Sequence, residues 1–147
     1  MPTTTVRTTV VTQGPSTSFI SVQRGFISTI SGLLTALEMV LGIIVFALTM
    51  TWLSTGSVLF LSLTSFTFWI ISFFILLASA LSATGTVLPT TLFYMVFHIA
   101  GFFLYLSGGI SCIAQGHRGV IIAAGVLALV TCIFHVIHAG FAYKKKI

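Results

Sequence analysis

The sequence predicts an all-α fold: a left-handed transmembrane bundle of four helices joined by short loops, with the N- and C-termini in the cytosol. The first observation behind this prediction is composition. Hydrophobic residues make up 57% of the 147 residues and charged residues only 5%. Soluble domains carry about 25% charged residues, so these few charges cannot cover a surface in water. The other two observations are four long apolar runs and an uneven placement of basic residues.

The four apolar runs are residues 26–53, 58–83, 92–114 and 119–143. Each exceeds the roughly 20 residues that a helix needs to cross a 30 Å hydrocarbon core. Short breaks separate the runs, so consecutive helices are expected to be antiparallel neighbours. The transmembrane domain is thus predicted over residues 26–143. Residues 1–25, rich in threonine, are expected to form a disordered cytosolic tail, and residues 144–147 a basic cytosolic end.

The basic residues indicate the orientation in the membrane. Four spans place both termini on the same side, and only Arg118 belongs to the other side. Because cytosolic segments carry the excess of Lys and Arg, both ends are expected in the cytosol. There the basic side chains would contact anionic headgroups. The predicted headgroup anchors are Arg24, Lys144, Lys145 and Lys146.

Each predicted helix carries one line of mostly small or polar residues at alternating spacings of three and four. Helices in lipid pack through such side chains because no hydrophobic force drives them together. We therefore expect these lines, called stripes below, to face inward, and their 3.5-residue repeat favours left-handed packing. The stripes are Ser28, Ser31, Thr35, Glu38, Gly42, Val45 and Thr49; Ser62, Ser65, Trp69, Ser72, Leu76, Ser79 and Ala83; His98, Gly101, Tyr105, Gly108 and Cys112; and Ala124, Ala128, Thr131, His135, His138 and Ala142.

Glu38 is the only acidic side chain of the chain and lies within the first predicted span. A charged acid at the centre of a span costs at least ~2.5–3.5 kcal/mol, which predicts that Glu38 is protonated or paired. At 1.5 Å per residue, Glu38 lies about 18 Å and His135 about 12 Å from the cytosolic ends of their spans. We therefore expect a buried polar cluster of Glu38, His98, His135 and His138.

Three roles are open for this cluster. The one we favour is a hydrogen-bonded clasp that fixes the register of the helices. The second is a proton-coupled or pH-sensing site, since histidine titrates near neutrality. The third is a metal site formed by His135, His138 and Glu38, for which ligand spacing alone is weak evidence.

Catalysis has little support in the sequence. The chain contains no Asp, and its lysines lie outside the predicted spans. Cys112 and Cys132 lie at different depths, so they are too far apart for a disulfide and are expected to be packing residues. We predict a protein that is not an enzyme, with no catalytic, cofactor-binding or metal residues and no cofactor.

Three segments carry a resemblance to a known family. They are residues 27–48 (ISTISGLLTALEMVLGIIVFAL), 97–109 (FHIAGFFLYLSGG) and 134–146 (FHVIHAGFAYKKK). They resemble the first, third and basic-ended fourth helices of MARVEL-domain proteins, in the branch of MAL and the chemokine-like factors. The resemblance implies a role in cholesterol-rich domains, vesicle trafficking, membrane apposition or cell junctions, without catalytic residues. The short loops match MAL-like members and differ from the longer loops of junctional ones.

The expected function is therefore non-enzymatic organisation of membrane domains, vesicle trafficking or membrane apposition and junctions. The expected partners are membrane lipids, including cholesterol, and other membrane proteins in homo- or hetero-oligomers. Nucleic acid is not expected, because the aromatic residues lie within apolar runs. The plasma membrane and secretory-pathway vesicles are the expected locations.

Two alternative functions remain open. A small proton-coupled transporter or channel subunit would use Glu38, since the small multidrug resistance family also has four short helices and one membrane Glu in the first span. An endoplasmic-reticulum assembly factor would use Lys144 and Lys145 as a dilysine retrieval signal.

Overall fold

The structure, a computed structural model, describes residues 26, 28–53, 55–81, 88–116 and 118–146, without the side chains of residues 89, 145 and 146. Within these residues every regular element is helical, which confirms the all-α prediction. The predicted tail, with Arg7 and Arg24, lies outside the described residues. The helices are α1 (Ile30–Met50), α2 (Gly56–Leu81), α3 (Leu92–Gln115) and α4 (Gly119–Lys146), and a 3-10 turn at Leu88–Thr90 precedes α3.

Threonine caps decide where two of the helices begin. The Thr29 hydroxyl accepts a hydrogen bond from the Gly32 amide at 3.1 Å, so α1 begins at Ile30 rather than where the apolar run begins. The Thr91 hydroxyl accepts from the Tyr94 amide at 3.3 Å at the start of α3. Such caps pair amides that the first helical turn leaves free. Hydropathy alone gives the start of α3 at residue 92 but not that of α1, whose apolar run begins at residue 26.

The four helices close into a ring in the order α1, α2, α3, α4. Helix α1 packs against α2 and α4, and α3 packs against the same two neighbours. Residue numbers fall along one helix as they rise along the next, so consecutive helices are antiparallel. The contacts in order are Met50–Ser62, Phe46–Phe66 and Gly42–Trp69 between α1 and α2, and Gly109–Gly125, Gly101–His135 and Tyr94–His138 between α3 and α4.

The predicted stripes of α1, α3 and α4 line the interior of this ring. Every stripe residue of α3 and α4 is buried, and so is the α1 stripe from Ser31 to Thr49. Ser28 precedes α1 and is exposed. The expectation that small and polar residues face inward is therefore confirmed for these helices.

Helix α2 buries a wider face than its stripe predicted. The four stripe serines are buried, whereas Trp69 and Leu76 are half-buried, and Ala83 lies outside the described residues. A line drawn through small residues follows only one edge of a buried helix face, which covers 100° or more. The larger apolar residues that complete the face are Val58, Leu61, Phe68 and Ile75.

The outer surface of the bundle is apolar along its length. Leu33, Phe74, Phe103 and Ile133 on the four helices are each more than half exposed. All four helices are long and apolar enough to cross a membrane. Hydrocarbon suits this surface, because contiguous apolar patches much larger than a few hundred Å² are rare on soluble monomers.

Arg118 and Trp52 meet where α1 ends and α4 begins. The Arg118 guanidinium carbon lies 3.6 Å from the centroid of the Trp52 ring. A guanidinium over an aromatic face is attracted by the ring quadrupole. This contact ties the end of α1 to the start of α4, at the end of the bundle away from Ile30 and Lys144.

Two glycines let the backbones of α3 and α4 touch. A Cβ atom on Gly125 would lie 2.8 Å from the Gly109 carbonyl oxygen and 2.7 Å from Cγ1 of Ile113. A Cβ atom on Gly109 would lie 3.0 Å from the Gly125 carbonyl oxygen. Backbone oxygens cannot move aside without separating the helices, so this close packing requires glycine at both positions.

Gly125→Ala is expected to destabilise the protein by about 1–3 kcal/mol relative to Gly140→Ala, because the added methyl group overpacks the contact between α3 and α4. Gly140 lies on the same helix, and a Cβ atom there would meet nothing within 4 Å. Both changes gain similar helix propensity, so their difference isolates the packing cost. Thermal unfolding in detergent, followed by circular dichroism, measures it. Equal stability of the two variants would contradict the close approach.

Candidate functional site

The only acidic side chain of the chain lies among three histidines inside the bundle. Helix α1 supplies Glu38, α3 supplies His98, and α4 supplies His135 and His138. Each of these residues is at most 2% exposed. The structure therefore brings together the four residues that the sequence grouped, which we call the Glu–His cluster.

The Nδ1 atoms of all three imidazoles approach the Glu38 carboxyl group. The His138 Nδ1 atom lies 3.1 Å from Oε1, that of His135 3.5 Å from Oε1, and that of His98 3.4 Å from Oε2. In addition, Nδ1 of His98 lies 3.1 Å from Nδ1 of His135. A hydrogen bond between these two nitrogens requires a proton on one and a lone pair on the other.

A chain of hydrogen bonds leads from the cluster toward the start of α1. His138 Nε2 lies 2.7 Å from the Tyr94 hydroxyl, which lies 3.0 Å from the Thr35 hydroxyl. Thr35 donates its proton to the Ser31 carbonyl oxygen at 2.8 Å. The Tyr94 hydroxyl must then donate to Thr35, and His138 Nε2 must donate to Tyr94.

This assignment fixes the charge of the Glu38–His138 pair. With its proton on Nε2, a neutral His138 presents a lone pair at Nδ1, so the 3.1 Å contact with Glu38 Oε1 needs one further proton. That proton belongs either to a neutral Glu38 carboxyl or to a His138 imidazolium. In both cases the pair has no net charge, which agrees with the high cost of an isolated charge in hydrocarbon.

Several polar atoms in and beside the cluster lack a hydrogen-bond partner among the described residues. They are Glu38 Oε2, His98 Nε2, His135 Nε2 and the Tyr105 hydroxyl. Buried polar groups are paired in the large majority of cases, and each exception calls for a ligand, a water or a strained role. Both ring nitrogens of His138 therefore have hydrogen-bond partners, whereas Nε2 of His98 and Nε2 of His135 have none among the described residues.

Aromatic rings enclose the cluster. The Tyr105 ring stacks on His135 at 5.4 Å between centroids, and the Phe68 ring meets it edge-on at 5.3 Å. Gly101 leaves room for His135, since a Cβ atom there would lie 2.8 Å from Nδ1 of its ring. In these low-dielectric surroundings a hydrogen bond is electrostatically stronger, and an unpaired polar group is more costly, than in water.

Beyond the cluster, toward the end with Trp52 and Arg118, the described interior is mostly apolar. Buried hydroxyls in that half, such as those of Thr49 and Thr131, donate to carbonyl oxygens of their own helices and do not link into a chain. The polar network is thus confined to one half of the bundle. The apolar residues that fill the other half are Val45, Val58, Leu61, Cys112, Ile121 and Ala128.

Sequence reasoning missed Tyr94 and the role of Thr35. Tyr94 is fully buried and joins Thr35 to His138. The sequence did contain a signal that Tyr94 faces inward. Tyr94 precedes His98 by one helical turn, and residues at i and i+4 share a helix face. Both predicted packing cysteines are buried and carry free thiols.

The predicted headgroup anchors lie near the ends of the chain. Lys144 is exposed at the end of α4, which also contains Lys145 and Lys146. Arg24 lies outside the described residues. The described anchors therefore form the last residues of α4.

Comparison of the chain with protein-family models, curated proteins and solved structures finds no match in any of the three. The fold therefore defines a class. Four helices long and apolar enough to span the bilayer, with inward polar residues, fit an integral multi-pass membrane protein.

Tyr94→Phe is expected to destabilise the protein by about 1–3 kcal/mol, because it leaves the buried His138 donor without its acceptor. Tyr143→Phe is the matched control, because Tyr143 lies on α4 with 56% of its surface exposed. Loss of this exposed hydroxyl should change stability by less than about 0.5 kcal/mol. Thermal unfolding of both variants in the same detergent makes the comparison. If Tyr94→Phe were as stable as the control, the hydrogen-bonded chain would not hold the bundle together.

Proposed function

We propose that this protein is a non-enzymatic membrane organiser, which gathers lipids and other membrane proteins through lateral contacts. The observation that carries the proposal is that the Glu–His cluster lies inside the bundle, away from its outer surface. The described carboxyl and imidazole groups within the spans are buried and face one another, whereas the outward faces are mostly apolar. What such a surface can bind is acyl chains, sterols and other apolar helices.

Helix α2 has the most aromatic of the outward surfaces. Its exposed phenylalanines, which we call the α2 aromatic face, are Phe60, Phe66, Phe73 and Phe74. Rigid rings provide a large apolar contact area with specific packing geometry. Such a face suits a rigid partner such as a sterol or a neighbouring helix better than mobile acyl chains.

The resemblance of three segments to MARVEL-domain helices supports the same proposal. We propose that both ends lie in the cytosol, because five of the six basic residues would then lie on that side. Left-handed packing is favoured by the 3.5-residue repeat of the stripes. The proposed locations are the plasma membrane and vesicles of the secretory pathway.

The α2 aromatic face provides a test of the organiser. Phe60, Phe73 and Phe74 are changed together to Leu, while Phe66 is kept because its ring contacts Phe46 and Trp69. We expect native nanodiscs cut from cells to hold more sterol and co-isolated membrane proteins around the wild type than around this variant. Lipid and protein mass spectrometry measures both.

A matched control carries three changes to Leu on the outward face of α3, at Ile99, Phe103 and Ile110. This control should retain the wild-type composition. A wild-type nanodisc with the composition of the bulk membrane would contradict the organiser proposal. Equal losses in both triple variants would place the contact elsewhere than on the α2 aromatic face.

Proton-coupled transport is the second candidate, and the hydrogen-bonded chain from Ser31 through Tyr94 to Glu38 favours it. Against it stands the apolar half of the interior, because a transported proton needs polar groups or water along the whole path. Within the described residues the chain of polar contacts stops at the cluster. We therefore place the organiser first.

In liposomes with a pH gradient and an internal pH dye, we expect neither the wild type nor Glu38→Gln to carry protons faster than empty liposomes. The physical reason is the apolar half of the bundle, where the described residues form no chain of polar contacts beyond the cluster. Orientation in the liposomes is checked by protease access to the chain ends. Wild-type flux that disappears in Glu38→Gln would replace the organiser with the transporter.

A further inference from the structure

Three side chains of the Glu–His cluster are arranged like the ligands of a metal ion. One potential ligand atom from each of Glu38, His98 and His135 lies within 4.8 Å of the others. The two Nδ1 atoms lie 3.1 Å apart, and they approach different oxygens of Glu38: His98 Nδ1 lies 3.4 Å from Oε2, and His135 Nδ1 lies 3.5 Å from Oε1. A tetrahedral Zn²⁺ with bonds of 2.0–2.2 Å holds its ligand atoms about 3.3–3.5 Å apart.

A second, independent observation is the unpaired carboxyl oxygen. Glu38 Oε2 has no hydrogen-bond partner among the described residues, although the side chain is only 1% exposed. Buried carboxyl oxygens left in this way are rare, and an ion or water is the usual explanation. The unpaired oxygen lies on the same side of the cluster as His98.

We infer that Glu38, His98 and His135 bind a divalent first-row metal ion, with Zn²⁺ as the best match. The ligands are Nδ1 of each of these two histidines and the carboxylate of Glu38. Two imidazoles and one carboxylate are ligands that suit Zn²⁺, and three protein ligands leave a fourth position for a small molecule such as water. The sequence prediction assigned no metal residue and kept a metal site only as the third of three open roles, so this inference revises the favoured expectation of a clasp.

His138 has a different part in this site. The sequence suggested His135, His138 and Glu38 as ligands, but Nε2 of His138 is occupied by Tyr94, and its Nδ1 contacts Glu38 Oε1. His138 is therefore a positioning residue that orients the carboxylate, as second-shell groups do in metal sites. His98, from another helix, takes its place among the ligands.

Charge and affinity follow from these contacts. Binding a dication requires Glu38 as the carboxylate. The proton that the Glu38–His138 pair shares then lies on Nδ1 of His138, which donates to Glu38 Oε1, and this hydrogen bond is how His138 orients the carboxylate. The Nε2 atoms of His98 and His135 have no described acceptor. An acceptor for the second ring nitrogen of a ligating histidine is worth about 10–100-fold in metal affinity. This site should therefore bind more weakly than zinc sites whose histidines have such acceptors.

The test uses the full chain in detergent, without a polyhistidine tag and stripped by a chelator. Zn²⁺ or Co²⁺ is added, free metal is removed by gel filtration, and bound metal is counted by mass spectrometry. We expect one ion per chain, a higher thermal unfolding midpoint with Zn²⁺, and the visible absorption of four-coordinate Co²⁺. Four-coordinate Co²⁺ absorbs visible light more strongly than the six-coordinate hydrated ion. The spectrum therefore reports binding at a built site.

Glu38→Gln and His98→Gln should each abolish the Co²⁺ absorption, and His138→Gln should weaken binding by about 10–100-fold. His117→Gln is the matched control, because it removes a histidine outside the cluster and should leave the signal unchanged. Absence of stoichiometric binding to the wild type would overturn the inference. Loss of binding in the His117 variant would do the same, since the metal would then be held elsewhere.

The ligand variants are checked for helix content by circular dichroism. If a ligand variant fails to fold, the wild type alone still decides between the outcomes. A Co²⁺ spectrum of hydrated ions, or an unfolding midpoint that Zn²⁺ does not raise, would show that these three side chains form a structural clasp and no metal site. This result is independent of the lipid and protein composition that tests the organiser proposal.

Discussion

One constraint organises the interior of this bundle: its single carboxyl group lies where water cannot hydrate it. Removing one partner of a buried ion pair costs about 3–5 kcal/mol, so Glu38 needs partners from other helices. They come from α3 and α4 as His98, His135 and His138, all within 3.5 Å of the carboxyl oxygens. Contacts this short fix how α1, α3 and α4 are rotated and shifted relative to one another. Gly101 and the Gly109–Gly125 contact permit the close packing that this register needs.

The described interior is divided into two unlike halves, while the outward faces of all four helices are mostly apolar. One half contains the Glu–His cluster and the hydrogen bonds through Tyr94 and Thr35. The other contains apolar side chains and hydroxyls that bond within their own helices. This apolar half separates the polar network from the end of the bundle that holds Trp52 and Arg118. The division favours a protein that acts through its surface, with the cluster serving the architecture or a bound ion.

Periodicity and composition predicted the helices and most of their inward faces, because small residues repeat at the spacing at which membrane helices pack. The members of the cluster followed from the high cost of charge in hydrocarbon. The start of α1 was missed where Thr29 forms a cap, since hydropathy does not register a single hydrogen bond, whereas the start of α3 at Leu92 was predicted. Tyr94 was missed because an aromatic residue in an apolar run has the composition of a lipid-facing one. The pairing of individual atoms depends on helix rotation and axial shift, which no one-dimensional pattern contains.

The contact between Glu38 and His138 joins residues 100 positions apart in the chain. A ribosome therefore delivers the carboxyl group to the membrane long before it synthesises the last histidine that pairs with it. During that interval the first helix contains an unpartnered acid, which weakens its residence in the bilayer. Completion of the fourth helix converts the nascent chain into a stable unit. A chain that ended before that helix would leave Glu38 without the contacts of His135 and His138.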